Sequence, residues 1–169
     1  MKTLFSILAG LGAAMLLLAL LSCTKAPMPD AEDKSRQEET DGPQNTETQM
    51  PEQIQITIAG KTLQMDIENN AATRTLVEAL GKGPISYTAS DYGGFEKVGA
   101  LGRSLQTSNS QVTSAPGDVV LYNGSSIVIF YGSNSWSYTR LGKIRYQSLS
   151  ELKSFLKAGE GDIRVTLAL

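Results

Sequence analysis

Between residues 53 and 67 apolar and polar side chains alternate twice over, and this period of two constrains the fold more than any other feature of the chain. Ile54, Ile56 and Ile58 are interleaved with Gln55 and Thr57, and Leu63, Met65 and Ile67 repeat the spacing after Ala59-Gly60-Lys61. Successive side chains of a strand point to opposite faces. Each run therefore reads as a half-buried strand, and the pair reads as a hairpin.

Similar signals continue downstream. Asn70 can cap a helix whose apolar face is Ala72, Leu76, Val77 and Leu80, with Gly81 as its stop. Ile85, Tyr87 and Ala89 suggest another strand. Residues 91–118 are loop-rich, with Gly93-Gly94, Gly99, Gly102 and Pro116-Gly117. Val119–Tyr122 and Ile127–Tyr131 flank Asn123-Gly124, a pair favoured in type I′ turns. Ser148 and Glu151 form a capping-box pattern ahead of a second short helix bearing Leu149, Leu152, Phe155 and Leu156, stopped by Gly159. Ile163, Val165 and Leu167 close the chain as an alternating strand. Several short strands with two isolated helices predict a mainly β domain, a closed or nearly closed barrel.

The chain before residue 53 is of another kind. Residues 4–21 carry no charge and follow Lys2, which makes a charged n-region and an apolar h-region. The stretch is also long enough to span a bilayer, which takes about 20 apolar residues. It ends, however, in Leu20-Leu21-Ser22-Cys23, and polar chain follows at once. Those four residues resemble the bacterial lipobox. The resemblance implies a lipoprotein signal peptide over 1–22, cleavage after Ser22 and lipid attachment at Cys23. An uncleaved anchor would also hold the chain at a membrane. Cys23 is the only cysteine, so no internal disulfide is available. Residues 24–52 contain four prolines and no aromatic residue, and their eight acids against three bases leave −5. Such a composition cannot bury enough surface to offset chain entropy. A disordered acidic tether is therefore expected over 23–52. The expected location is the cell envelope, on the outer side of the cytoplasmic membrane or in the outer membrane.

The remaining residues, 53–169, hold eleven bases and nine acids, +2 in all, and suffice for one core. No basic cluster is interleaved with aromatics, so nucleic acid is not an expected partner. The chain has no histidine, which removes a Ser-His-Asp nucleophile. With Cys23 lipidated, thiol nucleophiles and zinc sites of the His and Cys type are removed as well. No metal and no cofactor is expected. Asp91, Glu96 and Asp118 could serve acid–base chemistry, but nothing in the sequence pairs them and each suits a turn. Gly81-Lys82-Gly83 is too short for a phosphate loop and runs into Pro84.

Three runs in order, Gly117–Tyr122, Ile127–Gly132 and Tyr138–Ile144, resemble the bacterial cyclophilin-like domain. The opening Ile-x-Ile-x-Ile, the helix carrying Thr73–Leu80 and the block Gly94–Gly99 fit it too, so the resemblance covers nearly all of 53–169. It implies a closed, eight-stranded antiparallel barrel with a short helix over each mouth. Cyclophilins proper are prolyl isomerases, which must lower a barrier of roughly 18–20 kcal/mol to amide rotation. They use an arginine ahead of a Phe-Met-x-Gln-Gly-Gly stretch, with a tryptophan and a histidine along the groove. This chain has neither that stretch nor a histidine, and none of those catalytic residues carries over.

The expected function is therefore a membrane-anchored, extracytoplasmic, noncatalytic module that holds a peptide or small ligand. The alternative is a divergent peptidyl-prolyl cis-trans isomerase assisting exported proteins. The expected ligand face is formed by a Tyr92–Arg103 loop and a Trp136–Arg140 loop, both rich in Gly or Ser, because binding residues tend to sit on loops held by a rigid scaffold. Tyr92, Phe95, Trp136 and Tyr138 would supply apolar contact, and Arg103 and Arg140 hydrogen-bond donors. Trp136, in the polar run Gly132–Tyr138, reads equally as a groove aromatic or as a lid over the barrel end.

Overall fold

The computed structural model describes residues 49–169, so the signal peptide, Cys23 and the tether up to residue 48 lie outside the described residues. Strands β1 (Gln53–Ile58) and β2 (Lys61–Ile67) form the expected hairpin, in register from Gln53↔Asp66 to Ile58↔Lys61. Ala59 and Gly60 in its turn have φ of 48° and 79°, the pair of positive angles that a type I′ turn requires.

Helix α1 (Ala71–Leu80) follows. Asn70 Oδ1 accepts from Thr73 N–H, and Thr73 Oγ1 accepts from Asn70 N–H, both at 3.1 Å. The helix buries Ala72, Thr73, Leu76 and Leu80, while Val77 is only half-buried. Strand β3 (Ile85–Tyr92) leads into the stretch expected to be loop-rich. Two strands form there, β4 (Glu96–Ala100) and β5 (Ser110–Thr113). Then come β6 (Asp118–Tyr122) and β7 (Ser126–Phe130), with Asn123 and Gly124 at φ 49° and 71° between them. Strand β8 (Ser135–Ile144) takes in most of the run expected to be a polar loop around Trp136. Helix α2 (Leu149–Phe155) and strand β9 (Ile163–Ala168) complete the order. Glu151 N–H bonds Ser148 Oγ, but the Glu151 carboxylate accepts from Gln147 N–H instead of closing a full capping box on Ser148. Leu149, expected on the apolar face, is exposed.

The strands run β2-β1-β9-β3-β4-β7-β6-β8, all antiparallel, and β8 returns to β2 through Met65↔Ile144 and Ile67↔Gly142. That return closes an eight-stranded barrel and leaves β5 outside it. α1 leads into the start of β3 and α2 into the start of β9. Because β3 and β9 are antiparallel neighbours, the two helices lie at opposite ends of the barrel. Both add side chains to the interior, Leu76 and Leu80 from one and Leu152, Phe155 and Leu156 from the other. There they join Ile54, Ile56, Val119, Leu121, Ile127, Ile129 and Val165. Among the described residues no helix is long and apolar enough to cross a membrane.

Candidate functional site

Strand alternation gives the barrel wall a second apolar face. Ile127 and Ile129 point inward, so Val128 and Phe130 point outward. Val120 on β6 and Val98 on β4 share that outer side, since Val128 pairs with both. Exposed to water, this patch would lose the free energy of burial, roughly 25 cal/mol per Å². The chain covers part of it with an arm. The first residues of β8 leave the barrel and pair with β5, from Ser110↔Tyr138 to Thr113↔Ser135. Val112 and Tyr138 on this arm then pack on Val120, Val128 and Phe130 as a second buried cluster, with Phe95, Val98 and Tyr122 at its border. The Tyr138 ring meets Phe130 and Tyr122 edge to face, with centroids 5.7 and 6.1 Å apart.

Ser114 fixes the turn that starts the arm. Its N–H and hydroxyl both donate to the Asn134 carbonyl, and its Oγ accepts from Asn134 N–H at 2.9 Å. Asn134 Nδ2 in turn donates to the Tyr138 hydroxyl at 3.1 Å.

The arm covers only part of the patch, and a cleft of about 410 Å³ remains beside it. Tyr92, at the end of β3, and Trp136, on the arm, line it and are 66% and 57% exposed. Val98, Val128, Tyr122, Tyr138 and Asn134 complete the lining together with Glu96. Glu96 is only 4% exposed, and its Oε2 has no hydrogen-bond partner. Burial, which disfavours the charged form, raises its pKa to about 7. The Tyr138 hydroxyl is likewise raised, first by burial and then by the Glu96 charge, with the Asn134 hydrogen bond opposing.

Of the six residues expected to make a ligand face, Tyr92, Trp136 and Tyr138 come together in this cleft. The other three do not line it. Phe95 is half-buried against the border of the second cluster. Arg103 is exposed in the segment after β4. Arg140 lies past the arm, on the part of β8 that pairs with the barrel, and its guanidinium is 3.7 Å from Asp118. The second expected loop is all strand and half of the first is, in β4: short runs whose polar and apolar residues alternate read as loop when the partner strands are unknown. Tyr122 escapes a reading of the sequence for the same reason, and Glu96, which reads there as an unpaired acid suited to a turn, is not assigned to the ligand face. The one available signal is that Glu96 is in phase with Val98 along a short run, which puts an acid on an apolar face. Among the described residues no group of three or more acids, histidines or cysteines is placed to hold a metal.

Fold and cleft together define a class: a closed antiparallel barrel, a helix at either end, and an external cleft beneath a β-arm. The chain belongs to the Cyclophilin-like family, whose model matches residues 56–168. Among solved structures it is similar to the solution structure of the hypothetical protein AF2241 from Archaeoglobus fulgidus. The identity is 16% and the TM-score 0.52, over 70% of this chain and 95% of that one. That likeness shows the fold alone. No curated protein matches the chain.

Proposed function

We propose that the domain is a noncatalytic binding module that takes a peptide or small ligand into the cleft under the β5–β8 arm, and that the lipid on Cys23 carries it on the outer side of a membrane. One observation supports the reading most directly. An external cleft joins two exposed aromatic rings, Tyr92 and Trp136, to a buried carboxyl group with an unpartnered oxygen. Exposed aromatics lose apolar surface to water when a ligand covers them, and an unpartnered buried oxygen gains a hydrogen bond when a donor arrives. A prolyl isomerase must stabilise a twisted amide, and none of the residues lining this cleft is an arginine.

Trp136 is the only tryptophan in the chain, so its emission reports the cleft. Titrating the full chain with short peptides should shift that emission saturably, and Trp136→Ala should weaken the same binding measured by calorimetry. Peptides that leave the emission unchanged and release no heat would defeat the binding reading. Catalysed cis–trans exchange of a proline peptide in the same samples would replace it with the isomerase.

A further inference from the structure

We propose that the cleft is a site for an organic cation, an ammonium group held between the aromatic rings of Tyr122, Trp136 and Tyr138 and the carboxylate of Glu96. This rests on the binding reading above and names the ligand class of the same cleft.

The lining has two components. The first is aromatic: Tyr92, Tyr122, Trp136 and Tyr138 all border one cleft. Aromatic faces carry negative charge density, and sets of them attract cations, substituted ammonium groups above all. A patch that served only for apolar packing would have aliphatic residues in their place equally well. The second component is Glu96. It is buried, it borders the cleft, and its Oε2 is without a partner. Its chain neighbour Lys97 cannot neutralise it, because the Lys97 ammonium bonds Asp91 Oδ2 and the Gly161 carbonyl. None of the residues that border the cleft carries a positive charge. A buried acid facing π surfaces with no cation of its own is complementary to a ligand that brings one. A neutral ligand would leave the ionised acid unpaired, and an anion would meet both the acid and the ring faces unfavourably. The volume, about 410 Å³, lies at the lower end of the range for small-molecule pockets. It suits a small amine or one cationic side chain of a peptide.

The test titrates the full chain, followed by Trp136 emission, with choline and with the isosteric alcohol in which carbon replaces the quaternary nitrogen. The cation should bind about tenfold more tightly, and Glu96→Gln should reduce that preference without lowering the unfolding midpoint. Tyr122→Phe, which keeps a ring face, should keep the preference and guards against a folding defect in the Glu96 variant. A second pair, an acetylated lysine methylamide and its Nε-acetyl form, separates the sources: stronger binding of the lysine compound than of choline marks a peptide side chain, and the reverse marks a free amine. Equal binding of cation and isostere, or a preference that Glu96→Gln leaves undiminished, overturns the cation site and leaves the binding module standing. Binding of uncharged peptides alone does the same. If no compound in either pair and no peptide binds, both readings fail together.

Discussion

Asp91 and Lys97 face each other across the β3–β4 ladder, and their side chains meet at 2.8 Å with the lysine fully buried. The same ammonium donates to the Gly161 carbonyl. The Asp91 carboxylate accepts from the Gly161 N–H at 2.9 Å and the Tyr131 hydroxyl at 3.0 Å. One ion pair thus ties a hairpin to the turn that precedes β9. Removing the acid strands a buried cation, so Asp91→Ala should cost roughly 3 kcal/mol or more in urea unfolding. Lys97→Met should cost less, because it fills similar volume and leaves behind a carboxylate that reaches water. Equal losses would show that the lysine's burial is not what makes the pair matter.

The pair also sets an acid limit. Burial raises the Asp91 pKa, but the bonds from Lys97, from the Gly159 and Gly161 backbone and from Tyr131 outweigh it and hold the group at about 2. A depressed folded pKa contributes stability that is present above the unfolded value, near 4, and is lost as pH falls from there through 2. Urea midpoints measured from pH 5 downward should therefore fall less in Asp91→Asn than in the natural chain.

Glu96 works in the opposite direction. Its folded pKa, about 7, lies above its unfolded value. Stability from this group is greatest below the unfolded pKa and declines as pH rises towards 7. The Tyr131 and Tyr138 hydroxyls near it are themselves raised and stay neutral over that range, and Lys97 is held by Asp91. The Glu96→Gln variant should melt higher than the natural chain at pH 8, with the difference vanishing near pH 4. A lower melting temperature at pH 8 would mean that the charged carboxylate has a partner in the free protein.

Gly142 sits where β8 returns to β2. A Cβ there would collide with the Asp66 backbone carbonyl, so Gly142→Ala must move one strand of the closing pair. Glycine in a strand often marks such a close approach of backbone. The substitution should cost more than about 1 kcal/mol, the usual penalty of a point change. Ile129→Ala, which empties a fully buried inward position on β7, should cost about 2–5 kcal/mol. An unchanged midpoint for Gly142→Ala would show that the seam accommodates the methyl.

Residues 1–48 lie outside the described structure, and the anchor is tested in cells. Cys23→Ser should block lipidation and leave the protein unprocessed or released from the membrane fraction. Normal cleavage and retention in that variant would remove the lipoprotein reading.

Much of the barrel was legible from residues alone. Both hairpins with paired positive-φ turns, at Ala59-Gly60 and Asn123-Gly124, follow from local chemistry, and so do the caps at Asn70 and Ser148. The arm was not legible. Ser135-Trp136-Ser137 is polar and follows Gly132-Ser133-Asn134, and its strand state depends on β5, which begins 25 residues earlier at Ser110. Half of the cleft was hidden for the same reason. Tyr92 and Trp136 stand out as large aromatics in polar surroundings, whereas Glu96, Val98 and Val128 become neighbours only through the β4–β7 register. Arg103 and Arg140 look like donors because charge near aromatics suggests a site, yet strand direction carries them elsewhere.

Strand β8 is one uninterrupted piece of backbone from Ser135 to Ile144. Its first half walls the cleft and its second half seals the barrel against β2. Local opening that starts at the seal therefore releases the wall in the same event, and the two halves share one opening free energy. Hydrogen exchange should show this as equal protection of the amides at Trp136 and at Arg145, whose N–H donates to the Gln64 carbonyl of β2. A ligand held only by the cleft then slows exchange at the β2–β8 seal, which it never touches.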